Sequence, residues 1–266
     1  GVLNLNNNLL HLGNTKLSGS EVRVTGTLNA DGRNIGVAAD AVFADGGTID
    51  FKTGDSGLSM LGRTLVQKGA WFAGSGTMRN GTPGHMTLAD GVETNFVDLA
   101  NDGLLDIGGS TGVATVHDFA NETAGVLEID IGGYLLGETY DHLIVGGAAF
   151  IDGTLGVNLL IDEFGPGDPL PAIGDEFIIL TSFEGVSGEF ADVPPTYAGG
   201  KEYGWEVLHN PHDVTIRLAS IAVTNVPEPT AVALGAIAAS VALLAKRGNR
   251  RAALKPRRAE SGRQTA

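Results

Sequence analysis

The sequence predicts an all-β protein: a right-handed parallel β-helix (solenoid) with a β-hairpin cap, followed by one C-terminal transmembrane helix. Three observations carry this. The 266 residues include 40 glycines and only 6% aromatics, which suits many short strands joined by tight turns. Apolar residues alternate with polar ones in segment after segment, the period of a half-buried strand. Similar residue pairs also recur loosely, at Thr27-Leu28, Thr48-Ile49, Thr77-Met78, Leu104-Leu105, Val126-Leu127 and Thr154-Leu155. Their spacing matches successive rungs that bury their inward side chains on one another. The irregular period also fits an antiparallel sandwich with hairpins, and the parallel β-helix is the preferred reading.

The rungs occupy residues 1–161. In the first segment, Val2, Leu3, Leu5, Leu10 and Leu12 supply the apolar positions. Val22 and Val24 share one face, with Glu21 and Arg23 on the other; Ile49 and Phe51 follow, then Leu105 and Ile107 around Asp106. The cleanest alternation places Leu127, Ile129 and Ile131 inward and Glu128 and Asp130 outward, and Leu155, Val157, Leu159 and Ile161 continue it. Glycine and asparagine at the corners provide the positive φ angles that sharp bends demand. Residues 162–222 open on a Pro/Gly-rich break, "DEFGPGDPLPAIGD". An apolar strand from Phe177 to Leu180, a turn and a second strand come next, then a hairpin with Asn210-Pro211 near its turn. This block continues the solenoid or caps its last rung so that no edge stays open.

Charge is distributed unevenly about a net −14. Residues 81–200 contain 20 Asp/Glu and no Lys or Arg, whereas residues 246–266 contain 8 basic groups and 1 acidic one. An acidic body repels nucleic acid and anionic membrane, so no nucleic-acid partner is expected. The same acids attract cations or simply keep the exterior solvated. No cysteine is present, which excludes disulfides, thiolate metal sites and a cysteine nucleophile.

Candidate chemistry is sparse, and no catalytic residue is assigned. His209 and His212, followed by Asp213, are the one close histidine pair. Spacing of i and i+3 would share a metal on a helix, but this segment reads as a hairpin turn. His11, His85, His117 and His142 are isolated in sequence. No nucleophile elbow, phosphate-binding loop or H-E-x-x-H is found. Asp-Gly recurs at Asp31, Asp45, Asp90, Asp102 and Asp152. Carboxylates at rung corners would suit Ca²⁺, yet Asp-Gly is also an ordinary turn sequence, so no cofactor is expected.

The segments "LEIDIGG", "YDHLIVGGAAFIDGTLGVNLL", "IGDEFIIL" and "GVSGEF", between Leu127 and Phe190, resemble the C-terminal parts of autotransporter-like and other large bacterial surface β-helices. The resemblance implies the architecture and a surface location, and it names no chemistry.

The tail divides into a linker (223–229), an apolar stretch (230–245) and a basic end (246–266). Each proline of Val226-Pro227-Glu228-Pro229 restricts its predecessor, so the stretch is expected to be extended. From Ala231 to Ala245 no residue is charged. As a helix this run is about 22 Å long against a hydrocarbon core of roughly 30 Å, and Lys246 and Arg247 reach the interface by snorkelling. The basic cluster favours a cytoplasmic C-terminus. This layout resembles a PEP-CTERM sorting domain, with Pro227, Glu228 and Pro229 as the motif and Lys246, Arg247, Arg250 and Arg251 as the membrane stop. The resemblance implies recognition by an exosortase-type membrane transpeptidase and transient retention in the inner membrane. Cleavage near the motif and delivery to the bacterial envelope or the extracellular matrix then follow. Family tails usually end soon after the basic residues, whereas this one continues past Arg251 to Ala266. A tail anchor that is never cleaved is the alternative. Export also predicts that a chain opening at Gly1 without a leader is a fragment or a processed form.

Three function classes follow. The first is an exported structural or adhesive surface protein, with exopolysaccharide as a candidate contact. The second is a polysaccharide-active enzyme, lyase or glycosidase, since β-helices host both. Uronate cleavage needs cations, and those before the acidic stretch are Arg23, Arg33, Lys52, Arg63, Lys68 and Arg79; a glycosidase needs only a carboxylate pair. The third is ice or calcium binding. Ice binding would call for a Thr-x-Thr ladder, and only Thr25-Gly26-Thr27 fits it.

Overall fold

A computed structural model describes residues 2–4, 9–11, 15–17, 21–29, 34–52, 56–94, 96–165 and 169–224. The described chain is all-β and solenoid-like, with three strands to a rung and eight rungs among the described residues. The first face is one parallel sheet. Its strands are Val2–Asn4, Glu21–Val24, Asp40–Phe43, Arg63–Val66, His85–Ala89, Leu104–Gly108, Val126–Ile131 and Thr154–Leu159. The third face is a second parallel sheet, running from Thr15–Leu17 through Gly76–Asn80, Val97–Asn101, Phe119–Asn121 and Ala148–Ile151 to Gly185–Gly188. The second face is split. Leu9–His11, Thr27–Asn29, Thr48–Asp50 and Trp71–Ala73 form one sheet, and Val92–Glu93, Val113–Val116, His142–Val145 and Glu176–Ser182 begin another.

The core consists of inward side chains stacked rung on rung. On the first face one column runs Val22, Ala41, Thr64, Met86, Leu105, Leu127, Leu155, and the next runs Val24, Phe43, Val66, Leu88, Ile107, Ile129, Val157. All but Val22 and Val157 are at most 2% exposed. Each column buries apolar area at roughly 25 cal/mol per Å², and every rung covers its neighbour. The alternation read from the sequence at Val22 and Val24, Leu105 and Ile107, and Leu127 to Ile131 is therefore inward, as expected. Thr64 interrupts its column with a buried hydroxyl that has no hydrogen-bond partner.

A further internal column is polar. Asn80, Asn101 and Asn121 lie at the end of the third face and are fully buried. Asn80 Nδ2 donates to Asn101 Oδ1 and Asn101 Nδ2 to Asn121 Oδ1, each at 2.7 Å. The same amides bond the backbone carbonyls of Leu104, Val126 and Asp152 at the bends. Burying an amide is tolerable only when it is hydrogen-bonded; stacking identical residues one rung apart achieves that for Asn101 and Asn121, while Asn80 Oδ1, at the start of the column, is left without a partner. Gly153 closes the same corner. Its φ is +68°, and a Cβ there would lie 2.3 Å from the Gly125 carbonyl oxygen.

Beyond the last rung the strand direction reverses. Glu176–Ser182 pairs in parallel with His142–Val145 on one side and antiparallel with Asp213–Val223 on the other. Lys201–His209 and Thr196–Ala198 complete the antiparallel part. The expected hairpin is present, with the Asn210 amide donating to the Asp213 carbonyl at 2.9 Å. The chain at 192–196 covers the last strand of the first face. The Leu155 amide donates to the Asp192 carbonyl, and the Thr196 hydroxyl donates to the Val157 carbonyl. These contacts cover part of an edge that would otherwise be open to pairing with another chain. Glu176–Ser182 and Gly185–Gly188 lie on different faces and do not form a hairpin with each other.

Two sequence expectations need correction. Thr27 and Thr48 are register partners, as are Leu104, Val126 and Thr154. Thr77, however, pairs with Gly57 and Asp98 on the third face, while the true partner of Thr48 is Trp71. The long intervals from Thr48 to Thr77 and from Thr77 to Leu104 stepped from the second face to the third and then to the first. The true steps on the first face vary: those from Glu21 to Asp40 and from His85 to Leu104 are short, that from Arg63 to His85 is longer, and that from Val126 to Thr154 is the longest. The second correction is Asp130, expected to face solvent but only 9% exposed. The insertion that lengthens its rung brings Asp141 against it, with Asn158 alongside.

The expected helix at 230–245 lies outside the described residues. No helix among the described residues is long and apolar enough to cross a membrane.

Candidate functional site

The residues singled out for sorting, Pro227, Glu228, Pro229, Lys246, Arg247, Arg250 and Arg251, lie outside the described residues, as do Asp31 and Arg33. The histidine pair does not converge. His212 Nδ1 is 3.1 Å from the Ser182 carbonyl, whereas His209 packs on Phe190 with ring centroids 6.1 Å apart. Three of the Asp-Gly carboxylates are engaged in turns and rung contacts. Asp90 accepts the Val113 amide at 3.0 Å, Asp152 accepts the Thr123 hydroxyl at 2.7 Å, and Asp102 pairs with Arg79. The Asp152 bonds hold its carboxyl below the usual range.

The cations of the first rungs are dispersed. Arg23 pairs with Glu21 and Lys52 with Asp50, while Arg79 sits between Asp102 and Glu122 on the third face. Arg63 lines a hollow of about 410 Å³ on the first face with Glu21, Asp40 and His85. Acids border these cations, so they do not form a track for a polyanion. The threonine ladder is two residues long, Thr27 over Thr48, and ends at Trp71.

Two clusters that the sequence did not disclose carry the strongest chemistry. The first lies on the outer side of the first face. Asp106 and Glu128 are register partners one rung apart. Asn158 Nδ2 donates to Glu128 Oε1 at 2.7 Å and to Asp130 Oδ1 at 2.9 Å. Behind them Asp141 is fully buried, accepting the Gly112 amide at 2.9 Å and the Asp130 amide at 2.7 Å. Burial pushes the Asp130 carboxyl up to about 6, the Asn158 bond opposes it, and the charges of Asp106, Glu128 and Glu163 raise it further. Burial likewise pushes Asp141 up to about 9, against its two amide donors, and it raises Asp106. Desolvation is the main cause in all three, and repulsion between neighbouring carboxylates adds to it in the same direction.

The second cluster stands at the corner between the second and third faces. Asp98 and Asp118 each precede a member of the Leu99–Phe119 register pair, so they are stacked one rung apart. His117 projects beside them, with Nδ1 2.9 Å from Asp98 Oδ1 and 3.8 Å from Asp118 Oδ1. Phe96, 69% exposed, lies against the imidazole with ring centroids 6.0 Å apart. Beside the carboxylates runs a trough of about 310 Å³, floored by Ala100, Ala120 and Ala148 and walled by Phe150. His117 looked isolated in sequence because its partner lies one full turn earlier in the chain. The legible trace is the interval from Asp98 to Asp118, one rung of the solenoid.

No protein-family model matches this chain, and no curated protein matches it either.

Proposed function

We propose that this chain is an exported surface or extracellular-matrix protein, structural or adhesive, delivered by a C-terminal PEP-CTERM signal. The observation that carries the reading is the order of the tail: Pro227-Glu228-Pro229, an uncharged run from Ala231 to Ala245, then Lys246, Arg247, Arg250 and Arg251. In this reading residues 230–245 span the inner membrane as a helix, and the basic residues hold the C-terminus on the cytoplasmic side. An exosortase-type transpeptidase then cuts near the motif. The body is a right-handed parallel β-helix, the hand that connections between parallel strands adopt almost without exception. It acts as a stiff spacer whose acidic exterior stays solvated, with exopolysaccharide as its candidate contact. The long parallel stack of rungs supports a spacer, and the dispersed, acid-bordered cations favour it over a uronate lyase.

The test is production of the full-length chain in a host with and without exosortase, followed by fractionation and intact mass. Enzyme-dependent loss of everything beyond Pro229 supports the address. An intact C-terminus held in the membrane of both strains refutes it, and the body is then a permanently tethered ectodomain.

A further inference from the structure

We propose that Asp98, His117 and Asp118 bind a divalent transition cation of the Zn²⁺ class at the corner between the second and third faces. The three side chains bring one imidazole nitrogen and two carboxylate oxygens within 4.8 Å of one another. Donors on a tetrahedral ion with bonds of about 2.1 Å stand roughly 3.4 Å apart. The distances from His117 Nδ1, 2.9 Å to Asp98 and 3.8 Å to Asp118, bracket that value. All three side chains are 40–45% exposed, which leaves room for the small adjustments that would bring the donors to that spacing.

The surroundings favour a ligand over a plain ion pair. In the next rung the corner carries Gly146 and Gly147. A Cβ at 147 would lie 1.9 Å from Asp118 Oδ1, so any side chain there would push the carboxylate out of place. That oxygen accepts the Ala148 amide at 2.8 Å, which orients it and leaves a lone pair for a metal. Phe96 covers one side of the imidazole. The charge is also unbalanced. Two carboxylates face one imidazole, residues 81–200 contain no Lys or Arg, and Arg79 is engaged by Asp102 and Glu122. A divalent cation supplies the missing positive charge.

Donor chemistry selects the ion. A nitrogen with two carboxylates suits Zn²⁺, Co²⁺ or Mn²⁺, whereas Ca²⁺ requires six to eight oxygens. A metal takes the imidazole nitrogen only in its unprotonated form, so acid weakens binding. Three protein ligands leave at least one coordination position for water or an oxygen ligand.

The test uses the full-length chain in mild detergent and reads Zn²⁺ binding by calorimetry, with Co²⁺ absorption as the spectroscopic readout. The expected result is one Zn²⁺ per chain, a Co²⁺ band in the visible, and affinity reduced roughly tenfold or more by either His117→Gln or Asp118→Asn. His212→Gln should leave both signals unchanged. Thermal unfolding without metal shows that each variant is folded. The metal-dependent rise in Tm should then be equal in the parent and His212→Gln and clearly smaller in the two ligand variants at the same Zn²⁺ concentration. The proposal is overturned by the absence of binding, by binding that survives both ligand substitutions, by equal losses in His212→Gln, or by Ca²⁺ displacing Zn²⁺ at equal concentration. The outcome is independent of sorting, because the experiment contains no exosortase.

Discussion

Replacing Asp130 with asparagine removes one negative charge from the first-face carboxylate cluster while preserving the acceptor for Asn158 Nδ2. Asp130 is 9% exposed, and its carboxyl is raised from 3.8 to about 6. The folded state therefore binds this proton more tightly than the unfolded chain does. The resulting stability is fully present below about pH 3.8 and is lost as pH rises through about 6. At one unit for each 1.36 kcal/mol, the full window is worth about 3 kcal/mol, of which roughly 1.4 kcal/mol falls between pH 5 and pH 7.5. Asp141 and Asp106 slope the same way. Urea unfolding near pH 5 and near pH 7.5 should find the parent more stable in acid, the reverse of ordinary acid denaturation. Asp130→Asn should be the more stable protein at pH 7.5 and should narrow the gap between the two pH values by about 1 kcal/mol. A parent whose stability rises across that window, with a variant that tracks it in parallel, would refute the reasoning. The cluster would then be solvated well enough to ionise without cost.

Two further predictions concern the interior. Asn101→Leu breaks the amide column at its centre and leaves Asn121 Oδ1 without its Asn101 donor, so it should cost about 3 kcal/mol in urea unfolding. Thr64→Val replaces the orphan hydroxyl in the first-face column with a methyl of similar volume. It should be neutral or stabilise by about 1 kcal/mol, read as a higher midpoint at unchanged m value.

Much of the fold was legible in the sequence for a physical reason. In a strand the side-chain period is two whatever surrounds it, so Val22 and Val24, or Leu127, Ile129 and Ile131, identify their inward side unaided. Regular spacing was legible only where successive pairs happened to fall on one face, as at Leu104, Val126 and Thr154. Period two does not identify which of three faces a strand belongs to. Thr77 was therefore aligned with Thr48 although its partners are Gly57 and Asp98.

The chemistry was legible only in part. Composition and order alone determined the all-β class, the inward residues, the acidic body and the layout of the tail, because each depends on local period or on charge along the chain. The tertiary structure decided the rest. It stacked Asn80, Asn101 and Asn121 into one column, turned Asp130 from a surface group into a buried one, and set His117 beside Asp98 and Asp118. The physical reason is the same in each case. A rung returns the chain to its starting corner only after a full turn, short from Glu21 to Asp40 and longer from Val126 to Thr154. Insertions at the bends set that length, so residues distant in sequence become neighbours only once the register is fixed by packing.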